Sequence, residues 1–458
     1  MAVAGTFLLS SCIALIGASA PRRAQKQTAR RKPDKRPGAE YAKAMTPTPA
    51  LDRHAEQHLL EALEDSPVVL IHGPRQCGKT TLALSIGVEK GYDYISFDDE
   101  EAFLAATQDP TAFINSLPPK VILDEIQRVP SLFRAIKRSV DRNRVSGRFL
   151  LTGSSNILLL PQLADSLAGR MEIFPLYPFS QSELMERRSG FLRHLFAADF
   201  PTRSLPTAQE DLLQRVLAGG YPALITRPTA RRRSNWFSSY IDTLIMRDLK
   251  DMSGVQSLRE MPRLLQALSE QTAQLFNVSN LASPFKLSRT TIRDYISLLE
   301  RIFLVEILPP WHSNKLNRLT KTPKVHVCDT GLACFVQGAS MDTLANDRQA
   351  FGHILETFIY QELRRMASWQ ETPTRFFHFH TKDGVEVDIV LDRGAQGVAG
   401  IEVKAGSSVH NSDFKGLRQL RMAAGKRFKA GVVLYDGEMC ASFGEGMFAI
   451  PIRMLWEL

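Results

Sequence analysis

Cysteine is scarce in this sequence of 458 residues, and its few copies are badly placed for metal or disulfide chemistry. The five cysteines form no Cys-x-x-Cys pair and have no histidine pair nearby; they are Cys12, Cys77, Cys328, Cys334 and Cys440. Zinc sites and disulfide frameworks are recognised in sequences by such spacings. The sequence therefore indicates neither a zinc site nor a disulfide framework.

A complete targeting signal is also missing. The apolar segment 5–20 is shorter than the about 20 residues that a membrane-spanning helix needs. It ends in Ala18-Ser19-Ala20 and contains Leu9-Ser10-Ser11-Cys12, which resembles a lipoprotein processing site, but no positively charged region precedes it. We therefore expect residues 1–44 to be disordered or untranslated, with Met45 as an alternative start. We also expect a cytoplasmic protein without membrane contact.

The body of the chain lacks a strong net charge. The whole sequence carries +9, but residues 1–44 hold nine Lys and Arg against two acids, which leaves only +2 for the remainder. Global charge therefore gives no argument for nucleic-acid binding. The contents of hydrophobic and charged residues, 44% and 23%, are typical of a soluble globular protein, and the length allows two or three domains.

The most informative segment that is present is a glycine-rich loop, residues 73–80. It fits the pattern G-x-x-x-x-G-K-[ST] and follows Val68-Val69-Leu70-Ile71, an apolar run that predicts a buried strand. Backbone N–H groups of such a loop surround phosphates, and the following helix points its positive end at them. We expect Lys79 to contact the β- and γ-phosphates of ATP and Thr80 to bind Mg²⁺. The predicted ATP-binding residues are Gly73, Pro74, Arg75, Gln76, Cys77, Gly78, Lys79, Thr80 and Thr81.

Two further apolar strands end in polar residues that suit nucleotide hydrolysis. One ends in Asp124 and Glu125, which predicts an acid that holds Mg²⁺ followed by an acid that orients or deprotonates water. The other, residues 148–151, precedes a hydroxyl that would hold the attacking water. Ser154 is the preferred candidate for that role and Thr152 is the alternative.

Six short segments of the sequence carry a family resemblance; they are Gly73-Pro74-Arg75-Gln76, Asp124-Glu125-Ile126-Gln127, Leu151-Thr152-Gly153-Ser154, Leu167-Ala168-Gly169-Arg170, Gly219-Gly220-Tyr221-Pro222 and Cys328-Asp329-Thr330-Gly331-Leu332. Residues 53–184 resemble the AAA-type ATPase core of a prokaryotic group of ATP-binding proteins that carry a C-terminal domain of unknown function. The resemblance implies an Mg²⁺-dependent ATPase and makes Arg170 a candidate sensor or finger arginine, although a surface arginine at a helix end is an equal alternative.

The segment 255–325 has the pattern of a winged helix. A helix over 289–301, with Ser288 as its N-cap, would bury one apolar face, and the strand 302–308 would follow it. The buried positions are Ile292, Tyr295, Ile296 and Leu299, and the wing loop would carry Lys315, Arg318 and Lys321. Arg289, Thr290 and Arg293 face outward as candidate DNA contacts. The alternative is a winged helix that binds protein or acts as a spacer.

The last segment has the polar spacing of a nuclease core. Asp388 lies on an alternating strand, and Glu402 and Lys404, two residues apart on the next strand, point the same way. This spacing resembles the PD-(D/E)xK nuclease core, and by that resemblance the acids hold Mg²⁺, the lysine positions water, and Glu356 is the added helix acid. The alternative is the same fold without cleavage, used for structure or for gripping nucleic acid.

Together these patterns predict an α/β protein. A P-loop NTPase core of AAA type over 45–186 precedes a helical lid or connector over 187–254 and the winged helix. A small restriction-endonuclease-like α/β domain follows over 326–458. The predicted function is an Mg²⁺-dependent ATPase that couples hydrolysis to domain rearrangement, with double-stranded DNA as candidate partner and nuclease activity as an open question. The alternative is a nucleotide-gated switch that binds a protein partner and cuts nothing. The oligomeric state stays open.

Overall fold

The structure, a computed structural model, describes residues 51–154, 167, 169–205, 209–249, 258–313 and 322–458. The predicted leader and the basic residues of the predicted wing loop lie outside the described residues. Within the described ranges, no helix has both the length and the apolar content that crossing a membrane requires.

The N-terminal region is built on a five-stranded parallel sheet with the strand order β2-β3-β4-β1-β5. Its central strands are buried along their whole length, as expected for a parallel sheet that is covered on both faces. The strands are β1 (Val68–His72), β2 (Asp93–Ser96), β3 (Val121–Asp124), β4 (Phe149–Gly153) and β5 (Met171–Pro175). The helices are α1 (Glu56–Asp65), α2 (Lys79–Lys90), α3 (Glu100–Gln108), α4 (Pro110–Ser116) and α5 (Leu132–Arg142).

A helical region follows the parallel sheet. Its helices are α6 (Gln181–Leu184), α7 (Phe191–Ala197), α8 (Gln209–Ala218), α9 (Pro222–Ile225) and α10 (Ala230–Thr243). The chain continues from α10 into a π-helix, Leu244–Leu249. We refer to α10 and this π-helix together as the connector; they form only the later part of the lid or connector predicted over 187–254.

The next region combines three helices with a small antiparallel sheet of order β6-β8-β7. Its elements are α11 (Met261–Glu270), β6 (Gln274–Leu275), α12 (Val278–Phe285), α13 (Arg289–Arg301), β7 (Val305–Leu308) and β8 (Lys324–Val327). The N-cap is as predicted, since the Ser288 side chain accepts from the N–H of Thr291. Strand β7 starts later than predicted because Ile302 still closes α13 and Phe303 takes a positive φ of 58°.

The last region holds a six-stranded mixed sheet of order β13-β14-β12-β11-β10-β9. Strands β9, β10 and β11 are antiparallel neighbours, and β12 lies parallel to β11. Its helices are α14 (Thr330–Gln337), α15 (Met341–Asn346), α16 (Arg348–Ser368), α17 (Lys415–Ala424) and α18 (Met454–Glu457). Its strands are β9 (Arg375–His380), β10 (Glu386–Asp392), β11 (Val398–Lys404), β12 (Phe428–Tyr435), β13 (Ala441–Ser442) and β14 (Met447–Pro451).

The hydrophobic cores do not follow the predicted domain boundaries. Helices α7 and α8 share one buried core with α16 and α18, so the start of the predicted connector packs with the last region. The bridge between Ser204 and Met439 and the hydrogen bond from Gly190 N to Leu458 O join the same two parts of the chain. The predicted boundary at residue 325 falls inside β8, because this strand pairs with β7 through Val327.

Candidate nucleotide site

The glycine-rich loop, which we call the phosphate loop below, lies directly after β1 at the carboxyl edge of the parallel sheet and leads into α2. Two glycines are required there for different reasons. A Cβ on Gly73 would lie 1.9 Å from the carbonyl oxygen of Leu176, and Gly78 has a φ of 102°. The predicted ATP-binding residues therefore form a tight backbone loop followed by the first turn of α2.

The Lys79 ammonium is folded back over the loop. Its Nζ donates to the carbonyl oxygens of Gly73 at 3.0 Å and Pro74 at 2.7 Å, and the side chain is buried. When a nucleotide binds, an ammonium in this position can exchange these carbonyl acceptors for negatively charged phosphate oxygens, to which it donates stronger hydrogen bonds. This placement suits the predicted contact with the nucleotide phosphates.

The predicted Mg²⁺ ligands lie next to each other. The Thr80 hydroxyl donates to Asp124 Oδ1 at 3.0 Å, Tyr94 donates to Oδ2 at 2.8 Å, and Thr152 also donates to this carboxylate. Burial raises the pKa of Asp124, and these three hydrogen bonds oppose the rise. A carboxylate beside a hydroxyl offers the oxygen ligands that Mg²⁺ prefers, so Thr80 and Asp124 fit this ion.

The predicted base and the predicted water-holding residue are also in contact. Ser154 donates to Glu125 Oε2 at 3.0 Å, while Thr152 is occupied by Asp124. Gln127 completes the group, since its amide donates to Ser154 Oγ at 3.0 Å and to Glu125. Gln127 and Tyr94 were not predicted as site residues, although Gln127 lies within the Asp124–Gln127 segment that carries the family resemblance.

Two residues of the loop contact the connector. Arg75 pairs with Asp248 at 2.8 Å, and its carbonyl oxygen accepts from the Tyr240 hydroxyl at 3.2 Å. The Gln76 side chain accepts from the indole N–H of Trp236 at 3.1 Å. The loop is therefore joined to α10 and to the π-helix by three polar contacts.

Two other predicted ATP-binding residues, Cys77 and Thr81, differ in their surroundings. Cys77 is buried, and its thiol donates to the carbonyl oxygen of Leu176 at 3.4 Å. Its own carbonyl oxygen accepts from Arg53 at 3.1 Å, so the loop is also braced from the start of the described chain. Thr81 is exposed in the first turn of α2.

Arg170 lies at the wrong edge of the sheet for a sensor of its own nucleotide. It precedes β5, whose first residue pairs with Val68 at the start of β1, whereas the phosphate loop follows the end of β1. Five strand residues span roughly 16 Å. Arg170 pairs with Asp141 at that far edge. The sensor interpretation is corrected accordingly, and a finger role toward a neighbouring copy stays a prediction.

The four predicted nuclease residues come together in the last region. Ile389 pairs with Ile401 in antiparallel strands, so the neighbouring residues Asp388 and Glu402 lie opposite each other on one face of the sheet. Glu356 reaches the same place from α16, and Lys404 Nζ lies 2.8 Å from Glu402 Oε1. One further residue, Lys324, belongs to this group and was not predicted from the sequence. Lys324, from β8, lies 2.8 Å from Glu356 Oε1 and 3.3 Å from Asp388 Oδ1.

The candidate DNA contacts are on the surface of α13. Arg289, Thr290 and Arg293 are all exposed, and the apolar residues predicted for the opposite face are buried. The predicted orientation of this helix is therefore confirmed, while its partner stays a prediction.

Three regions of the chain match models of protein families. Residues 65–185 match a family described as AAA domain. Residues 209–343 match the Domain of unknown function (DUF8612), and residues 351–455 match the Domain of unknown function (DUF4143). The parallel sheet with a phosphate loop after β1 resembles the P-loop NTPase fold.

Similar curated proteins cover between about two thirds and nine tenths of the chain. An uncharacterized protein of Mycobacterium tuberculosis is 29% identical over 429 residues, which is 92% of this chain and 89% of that protein. An uncharacterized protein of Methanocaldococcus jannaschii is 25% identical over 315 residues, covering 65% of this chain and 66% of its own length.

Similar solved structures include a Walker-type ATPase of Pyrococcus abyssi, 16% identical, with a TM-score of 0.36 over 63% of this chain and 96% of that one. The Thermotoga maritima RuvB Holliday junction branch migration motor is 18% identical, with a TM-score of 0.29 over 56% of this chain and 89% of that one. At these TM-scores the likeness is too weak to support an assignment. The N-terminal core is thus similar to the AAA domain family, as predicted, and the two later regions are similar to families of unknown function.

Proposed function

We propose that the protein is an Mg²⁺-dependent ATPase in which hydrolysis changes how the phosphate loop packs against the connector. The observation that carries the proposal is the adjacency of two pairs at the carboxyl edge of the sheet. Thr80 contacts Asp124, and Ser154 contacts Glu125. ATP is a cytoplasmic substrate, so we place the activity in the cytoplasm.

Each member of the site has a role that follows from its position. The loop N–H groups and Lys79 would hold the phosphates, and Thr80 and Asp124 would hold Mg²⁺, which neutralises charge that develops on the phosphates. Glu125 would orient and deprotonate the attacking water, with Ser154 as its hydrogen-bonding partner. Gln127 positions both of these side chains by donating to each of them.

The contacts between the loop and the connector support coupling. Arg75 and Gln76 belong to the loop that would surround the phosphates, and both are bound by the connector. A triphosphate adds several negative charges beside Arg75, in competition with Asp248 for the guanidinium. Binding and hydrolysis would therefore change the strength of this ion pair and the position of the π-helix.

Two substitutions test the ATPase proposal. Lys79→Ala removes the cation beside the phosphates, so we expect a large loss of ATP affinity in a fluorescent-nucleotide titration. Glu125→Gln keeps the shape of the site but removes the base, so we expect near-normal affinity and a fall in kcat of about 10²–10⁴ in a phosphate-release assay. Equal ATP affinity in the wild type and in Lys79→Ala would contradict the role given to the loop.

DNA association is a second candidate, supported by α13 and its surroundings. The order α11, β6, α12, α13, β7, β8 and the sheet order β6-β8-β7 agree with a winged helix, and the candidate contacts on α13 are exposed. ATPase stimulation by double-stranded DNA would favour this candidate. Indifference to DNA would favour a nucleotide-gated switch with a protein partner.

For the last region, the order of elements supports a restriction-endonuclease-like fold. One helix, three antiparallel strands, a second helix and a parallel strand follow one another as α16, β9, β10, β11, α17 and β12. The Lys324 ammonium lies between two of the carboxylates, which argues against metal-dependent cleavage by this region.

A further inference from the structure

Lys324 joins the small antiparallel sheet to the last region by burying its charge among carboxylates. Its side chain is 3% exposed and its Nζ contacts Glu356 on α16 and Asp388 on β10. Two residues further along β8, His326 contacts the Thr357 hydroxyl on the same helix at 3.1 Å. Successive inward-facing residues of one strand therefore bind α16.

The other polar atoms of this carboxylate cluster are largely occupied by the protein. Asp388 Oδ2 accepts from the N–H of Val403 at 2.9 Å, and Glu402 Oε1 accepts from Lys404 at 2.8 Å. Glu402 Oε2 is buried and has no hydrogen-bond partner among the described residues. Both oxygens of Asp388 and one oxygen each of Glu356 and Glu402 are thus already bound to protein donors.

This arrangement does not fit a divalent metal ion. Mg²⁺ and Ca²⁺ need several oxygen ligands at about 2.0–2.6 Å, and these oxygens face an ammonium instead. A second cation beside Lys324 would add a like charge in a buried site, where repulsion is little screened. Within the described ranges, no group of three or more His, Cys, Asp and Glu side chains is arranged to hold a metal ion.

The charges of the cluster are paired without a metal ion. Three buried carboxyl groups, those of Glu356, Asp388 and Glu402, face the ammonium groups of two lysines.

We propose that Lys324 is the resident cation of this cluster, standing where a metal-dependent site would hold its ion. The cluster then joins β8 to α16 and β10 and does not bind divalent cations. This inference is independent of the proposed ATPase, since it concerns no residue of the nucleotide site.

The test measures Mn²⁺ binding by the nucleotide-free full-length chain. Electron paramagnetic resonance reports the binding, and thermal unfolding reports its effect on stability. All proteins carry Asp124→Asn, so that the nucleotide site contributes little. With Lys324 present, we expect no binding at the cluster and no shift of the unfolding midpoint on adding Mn²⁺. Lys324→Met should unfold several degrees lower, because it leaves two buried carboxylates without their cation. Mn²⁺ should then bind stoichiometrically and restore part of the loss, but not after Asp388→Asn is added.

A matched variant tests whether the effect is specific to Lys324 or follows from the loss of any lysine in the cluster. Lys404→Met removes an ammonium from the same cluster but leaves Lys324 in place, so we expect no stoichiometric Mn²⁺ binding. The proposal is overturned if the Lys324-containing protein binds Mn²⁺ and loses that binding on Asp388→Asn, a result that does not require Lys324→Met to fold. It is also overturned if a folded Lys324→Met protein gains no Mn²⁺ response.

Discussion

Glu300 shows how one buried carboxyl group can make the stability of the fold depend on pH. It lies near the end of α13 and accepts from the N–H of Ile307 at 3.3 Å. Burial raises the pKa of Glu300 from an ordinary 4.5 to about 7, against the effect of this hydrogen bond. The folded protein therefore holds this proton more tightly than the unfolded chain. The stability that results is full below pH 4.5 and is lost as the pH rises through 7.

We predict that Glu300→Gln raises the unfolding midpoint at pH 8 and changes it little at pH 5. At pH 8 the wild-type chain must bury a charge, whereas glutamine stays neutral and can still accept from Ile307. Thermal unfolding at both pH values measures the difference, with the exposed Glu270→Gln as control. An equal effect of Glu300→Gln at the two pH values would contradict the prediction.

Side chains with local sequence patterns could be predicted, and side chains with distant partners could not. The phosphate loop and the Asp124-Glu125 pair each follow an apolar strand, so their positions at the sheet edge were predictable. Lys324 was missed because its partners Glu356 and Asp388 are 32 and 64 residues away, and only the packing of β8 on α16 brings them together. Short-range spacing contains no sign of such a contact.

At the scale of elements, α13 is the clearest case of a periodic pattern that determines a structure. Ser288 caps it and its apolar face is buried, so its exposed face was predictable from 3.6-residue periodicity. Strand β5 was not predicted, because it lies at the sheet edge and has exposed residues in the middle. Without β5, the sequence could not show that Arg170 lies just before a strand that begins at the far edge.

We predict that DNA binding, if α13 is the contact, depends on its two exposed arginines. Replacing Arg289 and Arg293 by alanine would in that case remove two phosphate contacts. The plot of log affinity against log salt concentration should then flatten by about two units of slope. Fluorescence anisotropy with duplex DNA at several salt concentrations measures the slope. The control is Arg134→Ala with Arg138→Ala on α5, which removes the same charge elsewhere and should leave the slope unchanged. Wild-type protein without salt-sensitive binding would rule out this contact.

At the scale of the whole molecule, a buried ionic junction links the end of the parallel-sheet region to the last region. Arg365 on α16 pairs with Glu362 at 2.8 Å and with Asp329 at 3.3 Å, and it donates to the carbonyl oxygen of Phe179 at 3.0 Å. Asp329 also accepts from the N–H of Gly220 at 2.8 Å. The Gly219–Pro222 and Cys328–Leu332 segments thus meet at this junction.

We predict that Arg365→Met lowers the free energy of unfolding by about 3–5 kcal/mol, since it leaves two buried carboxylates unpaired. Urea unfolding of the full-length chain measures the loss. Arg375→Met is the matched control, because Arg375 is 56% exposed and lies 3.8 Å from its partner Asp392, so we expect little change. A loss of similar size in both variants would show that burial of the pair does not decide its contribution.

The shared core of α7, α8, α16 and α18 has a consequence for the order in which the protein can be completed during synthesis. About 240 residues separate Val216, in the first part of this core, from Trp456 in the last. At the usual rate of elongation, ribosomes need roughly 12 to 48 s to add them. During that interval the apolar residues of α7 and α8 have been made but their final partners have not. The parallel sheet, whose residues all precede α7, has no such delay and can fold while the rest of the chain is still being translated.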